Sequence, residues 1–189
     1  MRTRLDTQRR REQLLAIGAR LFADRPYDEV WIEEVAEIAQ VSRSLLYHYF
    51  SSKKEFFAEV VRAESDRILA LTEPKPALTV REQLDAGLDA YLDYVEQHRE
   101  GYRILHRAST AVDAEIRRIC EDGIARQRDR ILAALSAEIR TDEVTEVAVR
   151  GWLSFVITVC LEWTDRPTID RTELRDLCTR TLLTAVDLT

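Results

Sequence analysis

A chain of 189 residues, 46 % apolar and 33 % charged, with only five glycines and four prolines, has enough material for one substantial core or a core with a small satellite domain. The scarcity of turn residues argues against a sheet-rich architecture, and the three cysteines (Cys120, Cys160, Cys178) stand at no metal-ligand or redox spacing, which excludes a disulfide framework and gives no sign of a cofactor or metal. The N-terminal stretch MRTRLDTQRRREQ lacks an apolar signal core, and the longest uncharged apolar run, Gly151 to Leu161, is short of the ~18 residues of a membrane span, so a soluble cytoplasmic protein without a membrane partner is expected.

Apolar residues Leu14, Ile17, Gly18, Leu21 and Phe22 recur with helical spacing until Asp24 to Pro26 breaks the pattern, which predicts a first helix. After the turn around Tyr27, Ile32, Val35, Ala36 and Ala39 share one face of a short second helix. Ser42 is a good N-cap for a third helix starting at Arg43, with Val41 and Leu46 as a hydrophobic staple. Ser52-Lys53-Lys54-Glu55 has the form of a capping box, so a fourth helix starts at Lys53 with two lysines in its first turn, where they oppose the helix dipole unless a phosphate docks between them. It runs to about Leu71, ahead of the stiff Pro74-Lys75-Pro76 break. A fifth helix is predicted from about Thr79 to Glu96, a short sixth over Tyr102 to Ala108, and a long seventh over Asp113 to Glu138. An eighth, Asp142 to Trp163, is apolar nearly all round after Val147, and a ninth covers about Thr172 to Val186 with Leu174, Leu177, Cys178, Thr181 and Ala185 on one face. Pairing the last two helices with their copies makes a four-helix-bundle homodimer.

Charge is unevenly spread over these elements. The formal net charge is -6, yet residues 1 to 11 hold five arginines against one aspartate and residues 42 to 54 hold Arg43, Lys53 and Lys54 unopposed. Two basic segments on an acidic body are the electrostatic outline of a nucleic-acid-binding head. The second and third helices, joined by a short turn and preceded by the first, form a helix-turn-helix pattern whose last helix enters a major groove. Around helix three, Leu46, Tyr49 and Phe50 fall together, while Ser44, Leu45, Tyr47 and His48 point mostly away from them and toward DNA. The competing reading makes Tyr47 and Tyr49 ordinary core aromatics with wet hydroxyls.

Residues from about Arg9 to Val61, with the run LLAIGARLFADRPYDEVWIEEVAEIAQVSRSLLYHYFSSKKEFFAEVV, resemble the DNA-binding segment of the tetracycline-repressor (TetR) family of bacterial regulators. Carried over residue by residue, that resemblance implies base or phosphate contacts at Ser42, Arg43, Ser44, Leu45, Tyr47, His48 and Lys53, and a phosphate contact near Trp31. The sequence departs from the family pattern at Pro26 and Gln40, where glycines are usual, at Ser44, where glycine is frequent, and at Leu45, where a polar residue is common. Leucine there reads thymine methyls rather than hydrogen-bonding groups.

The expected organisation is a helix-turn-helix domain over residues 1–52 and a larger helical effector-binding and dimerisation domain over 53–189. In the larger domain no HExxH, CxxC or phosphate-cradling glycine loop occurs, so an enzyme is not expected. Tyr91, Tyr94, His98, Tyr102, Arg103, His106, Trp152 and Phe155 are candidates to line an effector pocket, and each is equally readable as core. That this domain takes a small molecule is what the resemblance implies. The function expected is that of a dimeric regulator, a repressor released from a palindromic double-stranded DNA operator by a small apolar effector. The alternative keeps the DNA-binding head and gives the larger domain a protein partner or no ligand.

Overall fold

The computed structural model describes residues 2–109 and 113–188. Among the described residues the chain is all-α: α1 (Arg2–Asp24), a single 3-10 turn at Tyr27–Glu29, α2 (Ile32–Ile38), α3 (Arg43–Tyr49), α4 (Lys53–Leu71), α5 (Val80–Gln97), α6 (Arg99–Ser109), α7 (Ala114–Leu135), α8 (Glu143–Asp165) and α9 (Arg171–Ala185). No strand occurs among them. The chain forms two compact units, one from the residues up to Asp66 with Glu100–Glu121, the other from Arg67–Arg99 with Asp122 onward. Helices α4 and α7 each give residues to both.

The first unit is built around an aromatic centre. Phe22, Phe50, Phe56 and Phe57 are buried, with the Phe50 and Phe56 rings 4.9 Å apart and edge-on, and Phe22 against Phe57 at 4.7 Å. Leu14, Ile17 and Ala19 of α1 and Val60 and Val61 of α4 complete the packing around them. Gly18 is what lets α1 and α4 approach so closely. A Cβ built there lies 2.5 Å from Phe56 Cζ and 2.8 Å from Val60 Cγ2.

The turn between α2 and α3 follows from backbone hydrogen bonding. Val41 N–H donates to the Ala36 carbonyl at 2.9 Å and Gln40 N–H to the Glu37 carbonyl at 3.0 Å, the paired bonds of a Schellman cap. Such a cap needs a left-handed residue at its centre, and Gln40 takes it with φ of 54°. This is one of the two positions before the recognition helix where the resemblance leads one to expect glycine.

In the second unit α9 lies antiparallel to α5 along a polar ladder. Thr179 Oγ1 donates to Asp85 at 2.6 Å, Arg175 to Asp89 at 3.2 Å, and Arg171 to Asp93 and, at 3.3 Å, to Glu96. Hydrogen bonding to Asp93 raises the Arg171 pKa above its already high ordinary value. Capping boxes start both helices, Thr79 with Glu82 and Asp170 with Glu173. Behind the ladder, Leu84, Leu88 and Leu92 of α5, Val149, Trp152, Val156 and Cys160 of α8, and Leu174, Cys178 and Leu182 of α9 are buried.

Helix α8 is long and apolar enough to cross a membrane by length and composition. It nevertheless buries Val149, Trp152, Val156 and Cys160, one residue per turn, as a core helix does. Its other side stays open, with Val144 and Val147 exposed and Phe155 and Val159 half-buried. The stripe read along α9 divides in the same way: Leu174 and Cys178 turn inward, whereas Leu177 and Thr181 are half-buried and Ala185 is exposed. Helix α7 ends at Leu135, three residues before the expected Glu138, where the chain passes into turns.

Candidate nucleic-acid interface

Helix α3 starts as its sequence dictates. Ser42 has extended backbone angles and its hydroxyl accepts the Leu45 N–H at 3.1 Å. Leu46 and Phe50 then drop into the aromatic core, and Val41 packs at its edge as the staple requires. With those positions buried, the remaining side chains are left to solvent. Ser42, Arg43, Ser44, Leu45, Tyr47 and His48 are all exposed, Leu45 at 37 % and Tyr47 at 41 %. Tyr49 is half-buried against the core. The core-aromatic reading therefore holds for Tyr49 and not for Tyr47.

Trp31 stands at the N-cap of α2 with extended backbone angles, and its side chain makes no capping bond. It is 68 % exposed, a large apolar ring left in water beside the entrance to α2.

The first turn of α4 differs from the sequence expectation in two respects. Ser52 does cap it, accepting the Glu55 N–H at 3.1 Å. The Glu55 carboxylate, however, takes the Ser51 N–H at 2.7 Å and the Ser51 hydroxyl rather than returning to Ser52, so the reciprocal half of the box is moved one residue back. Those bonds hold the Glu55 carboxyl below its ordinary pKa. The second difference concerns the lysines. Lys54 Nζ lies 3.0 Å from Asp113 and 3.1 Å from Glu115, so the dipole penalty at that position is offset by carboxylates of the same unit. Hydrogen bonds to these acids raise the Lys54 pKa, and the bond to Lys54 in turn lowers that of Asp113. Asp113 also accepts the Glu115 N–H at 2.9 Å at the start of α7.

Arg43, the first residue of α3, pairs with Glu33 of α2. Lys53 has a different environment from its neighbour, with Nζ 4.5 Å from the centroid of the Tyr27 ring and 3.4 Å from the Asp28 carbonyl oxygen. Sequence reading did not assign Glu33, Tyr27, Asp113 or Glu115 to this surface. Glu33 and Arg43 sit on adjacent helices of the motif, a spacing that offers a weak signal. Nothing in the sequence links Lys54 to residues 59 and 61 positions further on. The side chains of Arg2 and Arg4, part of the N-terminal basic segment, lie outside the described residues.

The positions considered for an effector are distributed over both units. Tyr91, Tyr94, His98, Trp152 and Phe155 belong to the second, and Tyr102, Arg103 and His106 to the first. Tyr94 and Tyr102 are buried, Tyr91, His98 and Phe155 half-buried, and Arg103 and His106 exposed. Tyr94 and His98 rings lie 5.2 Å apart on α5. The Trp152 indole N–H donates to the Cys178 carbonyl at 2.7 Å, which commits its polar edge to α9.

Comparison with known proteins adds to this geometry. Residues 14–60 match the family model described as bacterial regulatory proteins, tetR family, and residues 80–185 match the tetracyclin repressor-like C-terminal domain. The HTH-type transcriptional activator FasR of Mycolicibacterium smegmatis is 30 % identical over 115 residues, 60 % of this chain and 52 % of FasR. Other curated relatives are named transcriptional repressors. Matches to the first three curated relatives span 52 to 60 % of their lengths. Among solved structures, a tetR-family regulator from Streptomyces coelicolor superposes with a TM-score of 0.77 at 27 % identity, covering 96 % of this chain and 80 % of that one. The regulator FadR from Bacillus subtilis, solved in complex with stearoyl-CoA, has the same fold, with a TM-score of 0.70 at 15 % identity over 94 % of this chain and 98 % of that one. With an exposed recognition helix in the N-terminal match and the second match covering more than half of its length, the chain belongs to the TetR family of bacterial regulators.

Proposed function

We propose that the chain is a homodimeric transcriptional regulator of the cytoplasm, a repressor that leaves a palindromic DNA operator when a small apolar effector binds. The observation that carries the reading is the division of the α3 segment: Leu46 and the C-cap Phe50 are taken by the core, and the six side chains of Ser42, Arg43, Ser44, Leu45, Tyr47 and His48 are exposed. Ser44 and Leu45 would meet base edges, while Ser42, Arg43, Tyr47, His48, Lys53 and Trp31 would hold phosphates and fix register. Arg43 has to exchange Glu33 for DNA to do so. Dimerisation is assigned to the open sides of α8 and α9, where Phe155, Val159, Leu177 and Thr181 are only half-buried in a single chain.

An apolar effector is supported by the stearoyl-CoA held in FadR, a protein of the same fold, and by the aromatic character of Tyr91, Tyr94, Tyr102, Trp152 and Phe155. The commitment of Trp152 to the Cys178 carbonyl favours the second reading, in which these residues are core and the larger domain takes a protein partner or no ligand. A thermal-shift screen with acyl-CoA esters, whose acyl chain alone is apolar, and with wholly apolar metabolites separates the two, because only a ligand of the native state raises the melting temperature. The DNA half is tested by selecting duplexes from a random pool and comparing Ser44 and Leu45 variants. Base preference at individual positions should change by ~1 to 3 kcal/mol. Unchanged preference in both variants removes α3 as the reading element.

A further inference from the structure

The two lysines that open α4 are treated differently by the fold. Lys54 gives its charge to Asp113 and Glu115. Lys53 has no carboxylate within 4.0 Å among the described residues, and its ammonium instead faces an aromatic ring and a backbone carbonyl. Both attract a cation through fixed partial charges, and neither carries a net charge that would cancel it. Asp28 could have supplied an acid here, yet it is its carbonyl oxygen that receives Lys53.

The ring itself is held in place. Tyr27 stacks on Phe22 with centroids 6.0 Å apart and an interplanar angle of 12°, and it lies 5.2 Å from Phe57. Phe22 and Phe57 belong to the buried aromatic centre, so the platform beneath Lys53 is tied to the core.

We propose that Tyr27 is a positioning residue for DNA binding: its anchored ring, with the Asp28 carbonyl, holds the Lys53 ammonium in place, its charge intact, for a backbone phosphate. The inference rests on the reading of Lys53 as a phosphate contact. A lysine free in water must give up several rotatable bonds when it meets a phosphate, whereas one already seated on a ring gives up fewer. The ammonium has three donors, so the ring and carbonyl on one side leave a direction open for phosphate on the other.

The test uses the full-length protein and a mixed-sequence duplex of about 30 base pairs, since phosphate contacts are independent of sequence. Anisotropy titrations at several salt concentrations are run on the wild type, Tyr27→Phe, Tyr27→Leu, Lys53→Ala and the Tyr27→Leu/Lys53→Ala double variant. Tyr27→Phe, which keeps the ring, should bind like the wild type. Tyr27→Leu should lose about three- to tenfold in affinity, equivalent to about 0.7 to 1.4 kcal/mol, with the salt slope retained because Lys53 keeps its charge. In the Lys53→Ala background the same change should cost nothing further. An equal loss in both backgrounds shows that Tyr27 acts through the fold and overturns the proposal. Lys53→Ala with wild-type affinity and salt slope removes the phosphate contact itself, and the positioning role with it. Should Tyr27→Leu unfold, fluorinated phenylalanines at position 27 keep the shape while draining the ring face. Affinity that falls with each added fluorine supports the proposal, and affinity indifferent to fluorination refutes it.

Discussion

Replacing Gly18 by alanine sets two effects of known size against each other. In an exposed helix the change stabilises by about 1 kcal/mol, because alanine loses less backbone entropy than glycine. At Gly18 the new methyl would lie 2.5 and 2.8 Å from two atoms of the Phe56 ring and 2.8 Å from Val60 Cγ2, well inside van der Waals contact. Ring movement could relieve this only if Phe56 had space. It is fully buried, with Phe50 4.9 Å away on one side and Phe22 6.0 Å away on another. Overpacking of this kind costs about 1 to 3 kcal/mol, so Gly18→Ala should be net destabilising by about 1 kcal/mol and Gly18→Val by about 3. Urea unfolding followed by far-ultraviolet circular dichroism measures both. A double-mutant cycle with Phe56→Leu, which removes the two ring atoms in closest approach, should show the alanine cost largely relieved. A Gly18→Ala protein more stable than the wild type would refute the close-packing argument, since the propensity term alone would then be visible.

Three further outcomes follow from local geometry. Gln40→Gly should stabilise by about 1 kcal/mol, because it relieves a left-handed backbone at the centre of the α2 cap, and should leave DNA affinity unchanged; denaturant midpoints check the first and titration the second. Glu55, Glu82, Asp113 and Asp142 have folded pKa values held below the ordinary carboxylate range, chiefly by bonds from Ser51, Thr79, Lys54 and Thr145 respectively. Their contribution is complete above the unfolded pKa and fades as pH falls through the lower folded values, so acid denaturation should set in below about pH 4, and Asp142→Asn, which keeps a cap, should flatten its pH dependence. Burial pushes Cys160 up to about 12 and Cys120 and Cys178 up to about 11, so in the native protein all three thiols should resist a thiol-directed reagent at pH 8 and react on unfolding.

Much of the fold was legible because its signals are local. Ser42, Thr79 and Asp142 mark helix starts within one residue, and the period of Leu46 and Phe50 assigns the faces of α3. The first half of α1 was not legible: residues 2–13 are almost entirely polar, so they carry no periodicity to read. The start of α9, expected at about Thr172, lies at Arg171, within the same one residue, and its capping box begins at Asp170. What sequence could not supply at the candidate interface is pairing across the unit. Arg43 with Glu33, Lys54 with Asp113 and Lys53 with Tyr27 all join residues that only the tertiary fold brings together, and they decide which of the basic charges are already engaged.

The ladder between α5 and α9 repeats every four residues on both helices. Sliding α9 by one such step, about 6 Å, would place Arg175 opposite Asp85 and Arg171 opposite Asp89, and the opposite slide would bring Arg175 to Asp93 and Arg171 beside Glu96. Both arginines meet acids in every case, so the charges supply cohesion without choosing an alignment. The choice falls to features that do not repeat: Thr179, almost fully buried against Asp85, and the Trp152 indole seated on the Cys178 carbonyl. Anything that loosened those two contacts would leave the helices electrostatically free to ratchet by a turn, with the ion pairs acting as a rail rather than a lock.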